Sequence, residues 1–265
     1  MDPTLTGSRR RSESRSESRS EFRPAPRSTL LEQLPPPLPA ERIIALNQPK
    51  DDLHTTRAYT WEGWDFEAPP GVFLPGATSR MIHERLLDGR IEVRGRRYGA
   101  MGAGLGVEAV AAGIRGAREI YAFDIHAESV DTAARHYERL VGTREGTAFL
   151  PAAGDLFDRL PPGVRLDVIT FNPPAVSRRV SDDPAVVRNV CVGAPLLTRF
   201  FTQIRERDLL AEGGEVFLVV SNTADLRTIV RDALDQGFTA EIDHLHDWRD
   251  GVLTFLFRLT RGARS

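Results

Sequence analysis

The sequence predicts an α/β fold: a doubly wound, mostly parallel sheet of seven strands with an antiparallel C-terminal edge hairpin, preceded by an N-terminal extension. Three observations carry this prediction. A glycine loop, Gly102-Ala103-Gly104-Leu105-Gly106, lies between a short strand candidate, Arg97 to Met101, and an apolar helix candidate, Val107 to Ile114. From residue 91 onward, strand-like and helix-like segments alternate, as in a sheet covered by helices on both faces. One of these segments, Leu166 to Phe171, is a near-continuous apolar run, as a buried parallel strand should be.

Three regions are expected: a tail over 1–28, an extension over 29–90 that covers cofactor and substrate, and a main domain over 91–265. The tail repeats Arg-Ser-Glu-Ser, holds almost nothing to bury, and is expected to be disordered. In the extension, Leu30 to Leu34 suits a short helix stopped by Pro35-Pro36-Pro37, and Glu41 to Leu46 suits another. Tyr59, Trp61, Trp64 and Phe66 then cluster around Gly63. They suit either a substrate or adenine pocket wall, with Trp61 and Trp64 foremost, or a packing patch against the main sheet. Val72-Phe73-Leu74-Pro75 reads as a short strand, and Thr78 or Ser79 as the N-cap of a helix running to Leu87.

In the main domain, Ile120 to Phe123 reads as a strand ending in Asp124. Glu128 to Val141 has a helical apolar stripe, and Thr147 to Leu150 leads as a strand to Gly154-Asp155. Leu196, Leu197, Phe200, Phe201 and Ile204 mark the next helix. Gly213-Gly214 is expected to turn the chain into a strand over Glu215 to Val220. A helix carrying Leu226, Ile229, Val230, Ala233 and Leu234 follows. Strands near 239–244 and 252–260, joined by a short link, complete the sheet.

Composition narrows the function. The chain has 265 residues, enough for one sizeable domain, and its one cysteine, Cys191, excludes an internal disulfide. No run approaches the roughly 20 apolar residues of a membrane span, and no apolar signal segment opens the chain, so a cytoplasmic location is expected. Net charge is −2 overall, but the first thirty residues carry seven Arg against four acids. The rest is therefore acidic, which argues for a small-molecule or peptide partner over nucleic acid. The six histidines show no metal-ligand spacing.

The glycine loop carries the chemistry. Glycines let the chain turn sharply and let a bound molecule approach bare backbone at a helix N-terminus. Asp124, about twenty residues on at a strand end, suits the hydroxyls of a ribose. Asn172-Pro173-Pro174 stands directly after the buried strand 166–171, at the carboxyl end of the fourth strand of the series. It should face the same crevice as the loop after the first strand.

Together, Gly102, Gly104 and Gly106, Asp124, Gly154-Asp155 and Phe171-Asn172-Pro173-Pro174 resemble the class I S-adenosylmethionine-dependent methyltransferases. More narrowly they resemble the branch with an Asn-Pro-Pro-aromatic motif, which includes glutamine N5-, N6-adenine and "methyltransferase small" enzymes. The resemblance covers about residues 68–260 and implies a Rossmann-like domain with S-adenosylmethionine as cofactor. It implies that the three glycines pass beneath the methionine and ribose portions. Asp124 would hold the ribose hydroxyls, Ile125 would lie against the adenine, Asp155 would accept from the adenine amino group, and Leu156 would supply a backbone contact. Asn172 would accept from the acceptor N–H through its side-chain oxygen, and the Pro173 carbonyl would take the second proton.

Two positions depart from that pattern. Ala100 stands where the family usually has an acid, and Ala175 where it has a stacking aromatic. The loss of stacking at Ala175 favours N-methylation of a small molecule, amino acid or peptide. An RNA base or protein glutamine acceptor is the nearest alternative, and a non-catalytic binding protein is a third. A nicotinamide oxidoreductase is disfavoured by the loop spacing and the Asn-Pro-Pro strand end. The segment Ala175 to Val190 is expected to close over the substrate, with Arg178 as a candidate contact.

Overall fold

The structure, a computed structural model, describes residues 27–48 and 52–261. Of the disordered tail expected over residues 1–28, residues 1–26 lie outside the described residues, and the last two belong instead to the first helix. The extension opens with two short helices, α1 (Arg27–Gln33) and α2 (Ala40–Leu46). Leu30 and Leu34 of this segment are buried in the main core. A hairpin follows, β1 (Arg57–Trp61) and β2 (Trp64–Ala68). Its two-residue turn, Glu62-Gly63, has φ of 50° and 78°. Left-handed turns of this kind match the twist of paired strands. Tyr59, Trp61 and Phe66 alternate along the strands and bury one face of the hairpin. The aromatic cluster is therefore a packing patch.

Val72 to Pro75 is not a strand; it crosses irregularly into α3 (Ala77–Asp88). The N-cap is Gly76, so Thr78 and Ser79 lie inside the first turn. The backbone here is engaged outside any ladder: the Val72 N–H donates to the Pro69 carbonyl, and the Val72 carbonyl accepts from Arg57.

The main domain then alternates: β3 (Arg97–Met101), α4 (Val107–Ile114), β4 (Glu119–Asp124), α5 (Ala127–Leu140), β5 (Ala148–Ala153) and β6 (Leu166–Phe171). It continues with α6 (Pro184–Val190), α7 (Ala194–Glu206), β7 (Leu210–Ser221), α8 (Leu226–Asp235), β8 (Phe238–Asp247) and β9 (Leu253–Arg261). The expected strand start at Glu215 is corrected: β7 begins at Leu210, and Gly213-Gly214 form a bulge within it. Leu166 faces Leu210 but Val168 faces Glu215, and Gly213 has φ of 67°.

The seven-stranded sheet has the order β5-β4-β3-β6-β7-β9-β8. The first five are parallel; β9 is antiparallel to β7, and β8 to β9. Order reverses between β3 and β6, which are neighbours, so the switch-point crevice opens at their carboxyl ends. Side chains alternate between faces. Tyr98, Ala100, Ile120, Ala122 and Val168 join a core with α3, α4 and the hairpin, while Met101, Phe123, Ile169 and Phe171 join one with α7 and α8. The described residues of the extension thus contribute to the cores of the main domain. Among the described residues no helix is long and apolar enough to cross a membrane.

Candidate functional site at the switch point

The loop after β3 is built from bare backbone. The N–H groups of Gly102 and Ala103 both donate to the Phe123 carbonyl at 2.8 Å, tying the loop to the end of β4. Gly106 has φ of 79°, and a Cβ there would sit 2.8 Å from Ala133 of α5. Only glycine allows α4 to start this close to α5.

Asp124 ends β4. One carboxylate oxygen accepts the Gly104 N–H at 3.1 Å and the other the His126 N–H at 2.9 Å. The Asp124 carbonyl accepts from Gly154 N at 2.9 Å. The loops after β3, β4 and β5 are thereby joined into one wall. Beyond Gly154, Asp155 pairs with Arg199 of α7. Leu156 adopts a left-handed φ of 52°, a conformation that costs a branched residue energy and turns the chain at the cavity wall.

These residues enclose a cavity of about 310 Å³. Its lining includes Gly102, Gly104, Asp124, Ile125, Asp155, Leu156, Asn172, Pro173 and Pro174, so the structure brings most of the sequence-predicted site together. Ile125 is 62% exposed, an apolar side chain offered at the rim. Gly106 acts behind the wall. Sequence reasoning missed Arg199, His126, Arg188, Asn189 and Phe73 as lining residues. Arg188 and Asn189 of α6 both donate to the Gly71 carbonyl, at 2.6 and 2.9 Å, clamping α6 against the extension. Burial, with Arg188 nearby, holds the His126 imidazole below its usual pKa.

Asn172 follows β6. Its side-chain amide donates to Ser79 Oγ of α3 at 3.0 Å. The Pro173 carbonyl already accepts from Ala175 N at 2.8 Å, leaving one lone pair. On the far side of Asn172-Pro173-Pro174 lies a second cavity of about 180 Å³. It shares Phe73, Asn172, Pro173, Pro174 and Asn189 with the first, and among the described residues no ionisable side chain lines it.

Three substrate candidates are placed elsewhere. Trp61 is buried against Trp64 and His83, and neither tryptophan lines either cavity. Arg178 is exposed and lines neither. Ala175 is buried in the wall of the second cavity, bridged to Cys191. Among the described residues, no group of three or more His, Cys, Asp or Glu could hold a metal ion.

A buried polar cluster lies under the loop. Glu108, in the first turn of α4, accepts from Thr170 Oγ1 at 2.6 Å and from the Tyr98 hydroxyl at 3.4 Å. His83 Nε2 of α3 stands 3.8 Å from it. Burial raises the Glu108 carboxyl to about 7 and lowers the His83 imidazole to about 3. Thr170 is the β6 partner of Ala100, so this carboxyl occupies the face of the sheet on which Ala100 lacks one.

His136 of α5 links the loop to the hairpin. Its Nδ1 donates to the Leu105 carbonyl at 2.8 Å and its Nε2 accepts from Glu67 N at 3.1 Å. Burial lowers its pKa, in keeping with a neutral ring that both donates and accepts. His136→Ala leaves both backbone groups unpaired and is expected to lower stability by about 1–3 kcal/mol, measured by urea unfolding.

No protein-family model matches the chain, and no curated protein sequence matches it. Solved structures do. A ribosomal protein L11 methylase from Lactobacillus delbrueckii subsp. bulgaricus is 19% identical with a TM-score of 0.52, over 74% of this chain and 84% of that one. The E. cuniculi Mtq2–Trm112 complex, described as methylating the eRF1 termination factor, is 15% identical with a TM-score of 0.51, over 72% and 99%. The T. thermophilus 16S rRNA methyltransferase RsmC, solved with AdoMet and guanosine, is 19% identical with a TM-score of 0.56, over 81% of this chain and 52% of that one. Sheet order, edge hairpin and these likenesses together establish the fold: the chain has the Rossmann-like fold of the S-adenosylmethionine-dependent methyltransferases.

Proposed function

We propose that the protein is an S-adenosylmethionine-dependent methyltransferase acting on nitrogen in an uncharged group. One observation carries the reading. The glycine loop and Asn172-Pro173-Pro174, from adjacent strands, wall a single cavity, and a second cavity meets it at Asn172.

The residues fit the cofactor. Gly102 and Gly104 offer bare backbone, Asp124 is oriented by two N–H donors, and Ile125 presents an apolar face at the rim. Bound there, the cofactor supplies an electrophilic methyl group. The protein's part is to present the acceptor nitrogen. Amide and aromatic amine nitrogens are poor nucleophiles because their lone pair is delocalised. Asn172 Oδ1 and the free lone pair of the Pro173 carbonyl, each accepting an N–H, favour a pyramidal nitrogen and aim its lone pair at the methyl carbon. Such positioning lowers barriers by up to about 7–11 kcal/mol in favourable systems.

Among the described residues an acceptor in the second cavity meets no ionisable side chain, which suits a neutral group over an ionised amine. The small-molecule preference drawn from net charge gains no support from the structural neighbours, which act on RNA and protein by their names. A macromolecular carrier of the acceptor group is therefore the second reading. Steep salt dependence of RNA binding distinguishes an RNA carrier.

Calorimetry with S-adenosylmethionine, S-adenosylhomocysteine and NAD tests the cofactor reading. Micromolar binding of the first two without NAD is expected; no binding of either overturns it. In the same experiment Asp124→Ala is expected to weaken binding by roughly 10- to 100-fold, the worth of a hydrogen bond to a charged group.

A further inference from the structure

The Ser79 hydroxyl is committed on one side only. It accepts the Asn172 amide N–H at 3.0 Å and, among the described residues, donates to nothing. The residue is 3% exposed, and with Asn172 it lines the second cavity. A hydroxyl has one proton to give. Two consequences follow. With its nitrogen held by Ser79, the Asn172 carboxamide has its oxygen left over. With its oxygen engaged by Asn172, Ser79 has its proton left over.

We propose that Ser79 and Asn172 form one recognition edge, in which Asn172 Oδ1 accepts and Ser79 O–H donates. This rests on the methyltransferase reading and deepens it by naming the acceptor's chemical class. The edge matches a neutral group in which an NH₂ stands beside a hydrogen-bond acceptor atom: a primary carboxamide, or the amino-bearing N–C=N edge of an aromatic ring. It does not match an aliphatic amine, which leaves the Ser79 proton unpaired and is charged at neutral pH in a cavity that, among the described residues, is lined by no ionisable group. Ser79 is thus a positioning residue for Asn172 and a specificity determinant for the acceptor.

The position is well supported for this task. Ser79 sits in the first turn of α3, and His83, four residues on along the same helix face, is also buried and stands 3.8 Å from Glu108. Glu108 in turn holds Thr170, two residues before Asn172 on the same face of β6. The end of β6 is therefore fastened to α3 at Asn172 directly and to α4 at Thr170.

The test uses ¹⁵N-labelled protein loaded with S-adenosylhomocysteine, with acetamide and methylammonium as probes. The readout is the side-chain amide resonance pair of Asn172, identified by its loss in Asn172→Ala. Acetamide is expected to shift it, and methylammonium is not. Ser79→Ala is expected to weaken the acetamide response by about tenfold, the worth of one hydrogen bond, and to speed amide hydrogen exchange at Asn172. Ser79→Thr, which keeps the hydroxyl, is expected to restore both. Alanine is the best helix former, so Ser79→Ala is expected to fold, and the threonine variant gives a second reading of the same bond.

Equal responses to the two probes, no acetamide response at any concentration, or an unchanged response in Ser79→Ala overturns the proposal. Loading is measured first by calorimetry. Failure to load, with acetamide selectivity intact, overturns the cofactor reading and leaves the recognition edge standing.

Discussion

Asn172→Ala is expected to bind S-adenosylmethionine within about threefold of the unaltered protein and to lose turnover by roughly 10²–10³-fold, the usual cost of removing one preorganised hydrogen-bonding group from a reaction site. The split follows from where the side chain points. The cofactor wall is made by the loops after β3, β4 and β5, through backbone groups and Asp124. Asn172 closes that cavity from β6, and its amide is held from α3. Truncation removes the N–H acceptor and leaves the wall intact. Calorimetry gives the binding half. Turnover is measured as the mass gain of one methyl-for-hydrogen exchange on an acceptor found by screening. Equal turnover in the two proteins would remove Asn172 from the reaction.

Glu108→Gln is expected to change how stability depends on pH, with its largest effect above neutrality. In the fold Glu108 keeps its proton to about pH 7, whereas an ordinary glutamate loses it near 4.5. The folded state therefore binds more protons between those values. The stability that this contributes is full below 4.5 and is lost as pH rises through 7, about 3 kcal/mol in all.

His83 works the other way. Its folded value of about 3 lies below the ordinary 6.5, so its contribution is full above 6.5 and lost as pH falls toward 3. Between 4.5 and 6.5 the two slopes cancel, and stability there is flat. Glutamine keeps the partners Thr170 and Tyr98 but cannot ionise, so only the histidine slope remains. The variant is expected to gain stability steadily from acid to pH 6.5 and to exceed the unaltered protein by up to about 3 kcal/mol at pH 8. Urea midpoints across pH 4 to 8 measure this. Parallel curves for the two proteins would show that Glu108 ionises freely in the fold.

The main domain was legible because its signals are local. β3, α4 and β6 fall at their expected bounds, since a glycine loop and an uninterrupted apolar run are written in consecutive residues. Asp124 and Asn172 were legible for the same reason: the first ends, and the second directly follows, a strand whose burial is evident. The hairpin β1–β2 is written in the sequence as alternation around Glu62-Gly63, but the density of aromatic residues there suits a pocket wall and a packing patch equally. Arg199 gave no signal. Its contact with Asp155 spans 44 residues and depends on how α7 packs against the segment after β5, which no local pattern encodes. Ser79 read as a helix cap, because that is the commonest use of a serine before a helix. Its bond to Asn172 exists only once α3 is docked on the sheet. The bulge at Gly213-Gly214 read as a turn, since in both the chain needs glycine.

The order of the last two strands bears on how the chain is made. β8 pairs with β9 alone, and β9 lies between β8 and β7. During synthesis β8 leaves the ribosome first and has no partner until residues 253–261 follow. The sheet can be completed only once residues 253–261 have emerged, when Phe255, Leu256, Phe257 and Leu259 become buried. A nascent chain stopped before Leu253 leaves the edge of β7 open and β8 unpaired, the kind of exposed strand edge that recruits other chains.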